Sequence, residues 1–66
     1  MSHAQIVLLD EAIRYLEDLR HALMDIERYH SDKYLMTNAV ARARHACAQA
    51  RLMLTDLQQY HIGGHK

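Results

Sequence analysis

The chain has no proline, tryptophan or phenylalanine, and its two glycines, Gly63 and Gly64, lie within its last four residues. Proline and glycine interrupt helices most strongly, so their absence from the first 62 residues predicts helix throughout that stretch. The single cysteine, Cys47, excludes an intramolecular disulfide, and no spacing matches a structural zinc site. A chain of 66 residues buries too small a fraction of its surface to be stable as a folded monomer without further support. We therefore expect self-association to supply the missing stability.

The chain also lacks an excess of charge of either sign, with eight acidic and eight basic side chains. This balance argues against a generic binder of polyanions, which normally needs a basic excess or a strong basic patch. The charges are nevertheless unevenly distributed. Residues 1–30 carry six acids and three arginines, and residues 31–66 carry two acids and five bases, so the halves have net charges of −3 and +3.

Long apolar runs are missing as well. No segment approaches the ~20 apolar residues that cross a bilayer, and the start, MSHAQIVLLDEAI, has no basic leader region. We therefore expect a cytoplasmic protein with no membrane contact. The free thiol of Cys47 is compatible with that compartment.

The usual signatures of catalysis are absent: the sequence has no glycine-rich phosphate loop, no HExxH and no paired cysteines. Arg14 and His21 lie two helical turns apart, but without further polar partners they are better interpreted as part of a solvated face. His61 and His65 have the spacing of a helical ligand pair, yet two glycines separate them. We predict no enzymatic activity, no metal site and no cofactor.

Residues 3–30 have the pattern of an amphipathic helix of about seven turns. Ser2 is the candidate N-cap, with Gln5 at the capping-box spacing. Apolar residues at alternating steps of three and four form the predicted packing seam: Leu9, Ala12, Leu16, Leu19, Leu23 and Ile26. A second apolar set flanks that seam on one side: Leu8, Tyr15, Ala22 and Tyr29.

A second helix is predicted over about 38–61, with a frayed tail over 62–66. Its seam contains mostly alanines: Met36, Ala39, Ala43, Ala46, Ala50, Met53, Leu57 and Tyr60. Because alanine lets helix axes approach closely, we expect leucines of the first helix to pack against alanines of the second. The two helical repeats are one residue out of step, which favours a break between them.

The break is expected over 31–37, where Ser31, Asp32 and Thr37 are competent caps, as is Asn38 just beyond. The sequence therefore predicts a single all-α domain, 1–66, folded as an antiparallel two-helix hairpin. One continuous helical rod is the competing architecture. A hairpin would leave Val40, Cys47 and Leu54 uncovered, so we expect two hairpins to dock face to face as a homodimeric four-helix bundle.

A further stripe on the second helix is not required by this packing. It comprises Ala41, His45, Ala48, Leu52 and Thr55, with Arg44 and Arg51 along its border. An apolar strip edged by arginines is typical of a protein-binding patch, although alanine is also the best helix former on a solvated face. The predicted partner-binding residues are Arg44, His45, Ala48, Arg51 and Leu52.

A second candidate binding surface lies at the predicted turn, where Tyr34, Leu35 and Met36 are bulky for a loop.

In length and hairpin layout the chain resembles the RNA-binding plasmid copy-control proteins of the Rop type. It also resembles small helical-hairpin proteins encoded by bacteriophages that inhibit a host regulator, including quorum-sensing anti-activators. The second resemblance implies a module that binds a regulatory protein and inhibits it. The alternatives are an RNA- or DNA-binding dimer that uses the arginines of the second helix, and a purely structural subunit.

Overall fold

The computed structural model describes the backbone of residues 1–64 and the side chains of residues 1–60. Helix α1 spans His3–Arg28 and helix α2 spans Lys33–Gly64. The two helices pack against each other along an elongated molecule of 52 × 15 × 11 Å. The predicted all-helical hairpin is therefore confirmed, and the alternative of one continuous rod is wrong.

The start of α1 is fixed by the capping box that its sequence predicts. The backbone N–H of Gln5 donates to Ser2 Oγ at 3.2 Å, and the backbone N–H of Ser2 donates to Gln5 Oε1 at 2.8 Å. Each side chain thus satisfies a backbone donor that the first helical turn leaves free.

The turn is shorter than predicted, because Asp32 alone caps α2. Its Oδ1 accepts hydrogen bonds from the backbone N–H groups of Tyr34 and Leu35, both at 3.1 Å. Thr37 lies inside the helix, where its hydroxyl donates to the carbonyl of Lys33 at 2.7 Å. The expected turn over 31–37 and helix start at 38 are therefore wrong, since α2 begins at Lys33.

Replacing Asp32 with alanine removes the acceptor for both N–H groups. We expect the free energy of unfolding to fall by about 1 kcal/mol, the usual loss for a deleted N-cap. Urea titration followed by circular dichroism measures the change. Asp32→Asn keeps a side-chain oxygen at the cap and is expected to stay close to the wild type. An equal loss in both variants would contradict the role of this oxygen as the acceptor.

The far end of α2 also differs from its prediction. We expected the helix to end near residue 61 and a frayed tail to follow over 62–66. The helix is described as far as Gly64, so Gly63 and Gly64 do not end it within the described residues, and residues 65 and 66 lie outside them.

The packing seam of α2 lies where its alanine spacing predicts. Ala39, Ala43, Ala46 and Ala50 are buried, and Met36, Met53 and Leu57 are half-buried at the same three-and-four spacing. Tyr60, the last predicted member, is instead about half exposed. Close approach of the two helices therefore depends on four alanines of α2.

The packing seam of α1 differs from the predicted one. Leu16 and Leu23, two of the predicted members, are 51% and 53% exposed, whereas Ala22 is completely buried. Leu9, Ala12, Leu19 and Ile26, the other predicted members, are buried or half-buried, as are Leu8, Tyr15, Ala22 and Tyr29 of the flanking set.

The set expected to flank the seam thus belongs to it, beside four of the six residues predicted for the seam. The buried residues of α1 are themselves alanines, Ala12 and Ala22. Small side chains on both helices permit a closer approach than leucine against alanine allows.

Candidate functional site

One side of α1 carries large apolar side chains that α2 leaves wholly or partly uncovered. Leu9 is half-buried, and Leu16 and Leu23, which follow it at seven-residue spacing, are about half exposed. Ile6 and Ile13 lie on the adjoining strip and are 44% and 48% exposed. The sequence reasoning missed Ile6 and Ile13, although their spacing of seven beside the leucines was the available signal.

Helix α2 continues the same surface with Val40, Cys47 and Leu54, which also recur every seven residues beside its seam. Leu54 is 49% exposed, Cys47 is an exposed free thiol and Val40 is half-buried. We call these eight residues, five from α1 and three from α2, the apolar face.

The ion pair between Asp25 and Arg42 establishes that both parts of the apolar face lie on one side of the hairpin. Arg42 Nη2 donates to Asp25 Oδ2 at 2.7 Å across the two helices. On α1, Asp25 flanks the seam on the side opposite Leu16 and Leu23. On α2, Arg42 flanks the seam on the side opposite Val40, Cys47 and Leu54. In an antiparallel pair, equivalent flanks meet, so the flanks carrying Leu16 and Cys47 must also share a side.

The apolar face is arranged in three levels along the hairpin. Leu23 lies five residues before the end of α1, and Val40 lies seven residues after the start of α2. Their distances from the turn thus differ by two residues. The same difference holds for Leu16 with Cys47 and for Leu9 with Leu54. At 1.5 Å per residue, the members of each pair differ in height by only about 3 Å. The middle level is therefore Leu16 beside Cys47.

The single chain exposes more surface than a compact protein of its mass. At 7.7 kDa its accessible surface is 5369 Å². A compact monomer of this mass exposes ~4,300 Å², which leaves an excess of ~1,000 Å². Every fully buried apolar residue in the described part of the chain is an alanine, so the hairpin has no core of large side chains.

The side opposite the apolar face is polar. Asp18 and His21 of α1, with Arg42 and His45 of α2, border a shallow cleft of about 450 Å³. Within the described residues, no three histidine, cysteine or acidic side chains are grouped closely enough to hold a metal ion. Arg42, one of the cationic side chains beside this cleft, is already paired with Asp25.

The predicted partner-binding residues of α2 form one exposed strip along the outside of the helix. We call Arg44, His45, Ala48, Arg51 and Leu52 the outer patch; all five are exposed, and Leu52 is 54% exposed. Arg44 and Arg51 occupy the helical positions next to Val40, Cys47 and Leu54, so they form the edge of the outer patch that adjoins the apolar face.

The second candidate surface, Tyr34, Leu35 and Met36, lies in the first turn of α2 rather than in a loop. Tyr34 is 85% exposed and Leu35 is 42% exposed, whereas Met36 is half-buried in the helix seam. The structure thus separates Met36 from the other two. Tyr34 also borders a shallow depression together with Lys33, Thr37, Asn38 and Ala41.

Neither helix, over the residues that the structure describes, contains a stretch both long and apolar enough to cross a bilayer. Comparison of the chain with protein-family models, with curated proteins and with solved structures found no match.

Proposed function

We propose that this chain is a small non-catalytic interaction module of the cytoplasm. Two copies associate through their apolar faces as a four-helix bundle, and the outer patch binds a regulatory protein, of the host or of the same cell, and inhibits it. The observation that carries the proposal is that one hairpin exposes two distinct surfaces, a broad apolar one and a narrow one edged by arginines.

The dimer is supported by the amount and kind of surface that a single chain exposes. The excess of ~1,000 Å² per chain is close to the ~800 Å² that each partner buries in a typical stable interface. Leucine and isoleucine side chains about half exposed on a contiguous face supply the apolar area. Each such side chain contributes about 1.5–3 kcal/mol when its burial is complete.

The outer patch is supported by its composition and its position. Leu52 offers an exposed apolar centre, and Arg44 and Arg51 offer the residue type most enriched among interface contacts that dominate binding energy. Because His45, Ala48 and Leu52 point away from the apolar face, a dimer leaves them accessible. The resemblance to small phage-encoded inhibitors of host regulators makes inhibition the expected effect.

Leu52→Asp is expected to weaken partner binding by at least about tenfold, because it places a charge at the centre of an apolar contact. Immobilised wild-type and variant chains are first used to recover proteins from the source cell. A protein recovered by the wild type alone is then purified, and its dissociation constant with each chain is measured by calorimetry.

Gln49→Asp is the matched control, since it adds the same charge to the same helix on the strip of Arg42, outside the outer patch. It is expected to bind the purified partner as the wild type does. If Leu52→Asp bound that partner as tightly as Gln49→Asp, the outer patch would not be the binding surface.

Nucleic-acid binding is the second candidate, because Arg44 and Arg51 are exposed on one helix and a dimer would carry two copies of each. Arg42, the third arginine of α2, is instead paired with Asp25. Ionic strength distinguishes the candidates: phosphate contacts make affinity fall steeply as salt rises, whereas a largely apolar protein interface responds weakly.

A further inference from the structure

The distribution of charge beside the apolar face selects one arrangement of two hairpins. We propose that α1 of each copy packs against α2 of the other, with both turns at the same end of the bundle. This inference rests on the proposed dimer and adds which helices meet. The supporting observation is that the apolar face has an acidic edge on α1, called the outer flank of α1, and a basic edge on α2, called the outer flank of α2.

The outer flank of α1 comprises two neighbouring strips along the edge of the apolar face. Arg20 and Glu27 continue the strip of Ile6 and Ile13 at seven-residue spacing, and their charges cancel. Asp10 and Glu17 lie on the next strip outward and give the flank its net charge of −2. The corresponding flank of α2, beyond Val40 and Cys47, carries Arg44 and Arg51 and a net charge of +2.

Two hairpins that bury the same face by two-fold symmetry can meet in two ways. With the axis parallel to the helices, α1 lies against the partner copy's α2, and each flank of charge −2 meets a flank of charge +2. With the axis across the helices, α1 lies against the partner copy's α1, and flanks of like charge meet on both sides. Charge complementarity at the rim favours the first arrangement and opposes the second.

The heights of the charged residues agree with the first arrangement. An axis parallel to the helices preserves height, so residues that are level within one hairpin are also level across the interface. Arg44 lies about level with Glu17, and Arg51 about level with Asp10, counted from the turn at 1.5 Å per residue. Both acids would therefore face an arginine of the partner copy at the edge of the outer patch, and His45, Ala48 and Leu52 would remain accessible to a regulatory protein.

Charge reversal tests the arrangement. The acid-reversed chain carries Asp10→Lys and Glu17→Lys, and the arginine-reversed chain carries Arg44→Glu and Arg51→Glu. We expect each chain alone to self-associate at least roughly tenfold more weakly than the wild type at low ionic strength. An equimolar mixture is expected to form heterodimers of wild-type strength, because every facing pair then regains opposite charges.

The control reverses charge on the polar side of α1, with Glu11→Lys and Asp18→Lys, and is expected to dimerise as the wild type does. Circular dichroism at high protein concentration checks that each chain remains helical. If sedimentation showed that each reversed chain alone dimerises as tightly as the wild type, the arrangement would be overturned and the proposed dimer would stand. A monomeric wild-type chain would overturn both.

Cysteine cross-linking gives a second measurement that does not alter charge. In the proposed arrangement the two Cys47 thiols lie on diagonally opposed helices, roughly 14 Å apart between axes, which is too far for a disulfide. Leu16 of one copy instead lies level with Cys47 of the other.

An equimolar mixture of wild type and a Leu16→Cys, Cys47→Ser chain is therefore expected to form a disulfide-linked heterodimer in oxidised glutathione. The wild type alone is expected to stay uncrosslinked. Rapid formation of the Cys47 disulfide by the wild type would overturn the arrangement, because it would place the two copies of α2 side by side.

Discussion

A chain with Leu16→Asp and Leu23→Asp is expected to sediment as a monomer and to lose much of its helical signal. These leucines are 51% and 53% exposed in the single chain and form the middle level and the turn-end level of the apolar face. A dimer would bury four of them in all, and each contributes about 1.5–3 kcal/mol when fully buried. Aspartate removes that contribution and adds the cost of desolvating a charge, so self-association should weaken by at least about a hundredfold.

Helical content should fall together with dimerisation, because the hairpin by itself buries alanines and no large side chain within its described residues. Sedimentation velocity and circular dichroism at the same concentration measure the two effects. The matched control is Val7→Asp with Leu52→Asp, since both residues are exposed apolar positions outside the apolar face. A Leu16/Leu23 variant that stayed dimeric would show that another surface joins the copies.

The second large effect concerns the alanine seam between the helices. Ala46→Leu is expected to lower the free energy of unfolding by about 1–3 kcal/mol or more, because Ala46 is only 2% exposed and the added atoms have no room. The leucine would force the two helix axes apart and disturb the neighbouring contacts of Ala43 and Ala50.

Ala48→Leu is the matched control, since it introduces the same side chain two residues away at an exposed position. Urea unfolding at several protein concentrations measures both variants and separates hairpin stability from self-association. Equal stability of the two variants would show that close packing of alanines does not hold the helices together.

The hairpin and the seam of α2 were predictable because the chain leaves few alternatives. Without proline or internal glycine, both segments form helix, and the alanines from Ala39 to Ala50 recur at a single three-and-four spacing. The mismatch between the two repeats correctly indicated a break. The capping box at Ser2 was also predictable, because a serine with glutamine three residues later is a local pattern that needs no tertiary information.

The seam of α1 could not be selected from hydrophobicity alone. Leucines and isoleucines cover a broad side of this helix, so more than one stripe satisfies the spacing of a packing seam. The predicted stripe included Leu16 and Leu23, which are about half exposed, and left out Ala22, which is completely buried. Close approach to an alanine-lined partner is decided by small size, which places Ala12 and Ala22 at the contact.

The position of the turn was uncertain for a related reason. Ser31, Asp32, Thr37 and Asn38 are all competent helix caps, and local sequence does not choose among them. The choice of Asp32 lengthens α2 by five residues beyond the prediction and brings Tyr34 and Leu35 onto a helix. On a helix, the exposed Tyr34 side chain has a more defined direction than the predicted loop would have given it.

The outer patch was predicted residue by residue, and the structure shows all five residues exposed on one helix. Exposure alone does not separate a binding surface from a solvated alanine-rich face, so its role stays a prediction until the Leu52→Asp comparison is made. The apolar face has a firmer physical basis, because leaving several leucine and isoleucine side chains half exposed is costly for a chain with an alanine core.

The central claim is that this hairpin is half of a homodimer. Sedimentation equilibrium of the wild-type chain, from low to high micromolar concentration, tests it most directly. A homodimer is expected to show a mass of twice 7.7 kDa across most of that range, and its helicity is expected to decline only where the dimer dissociates. A mass of 7.7 kDa at the highest concentration, with undiminished helicity, would contradict it.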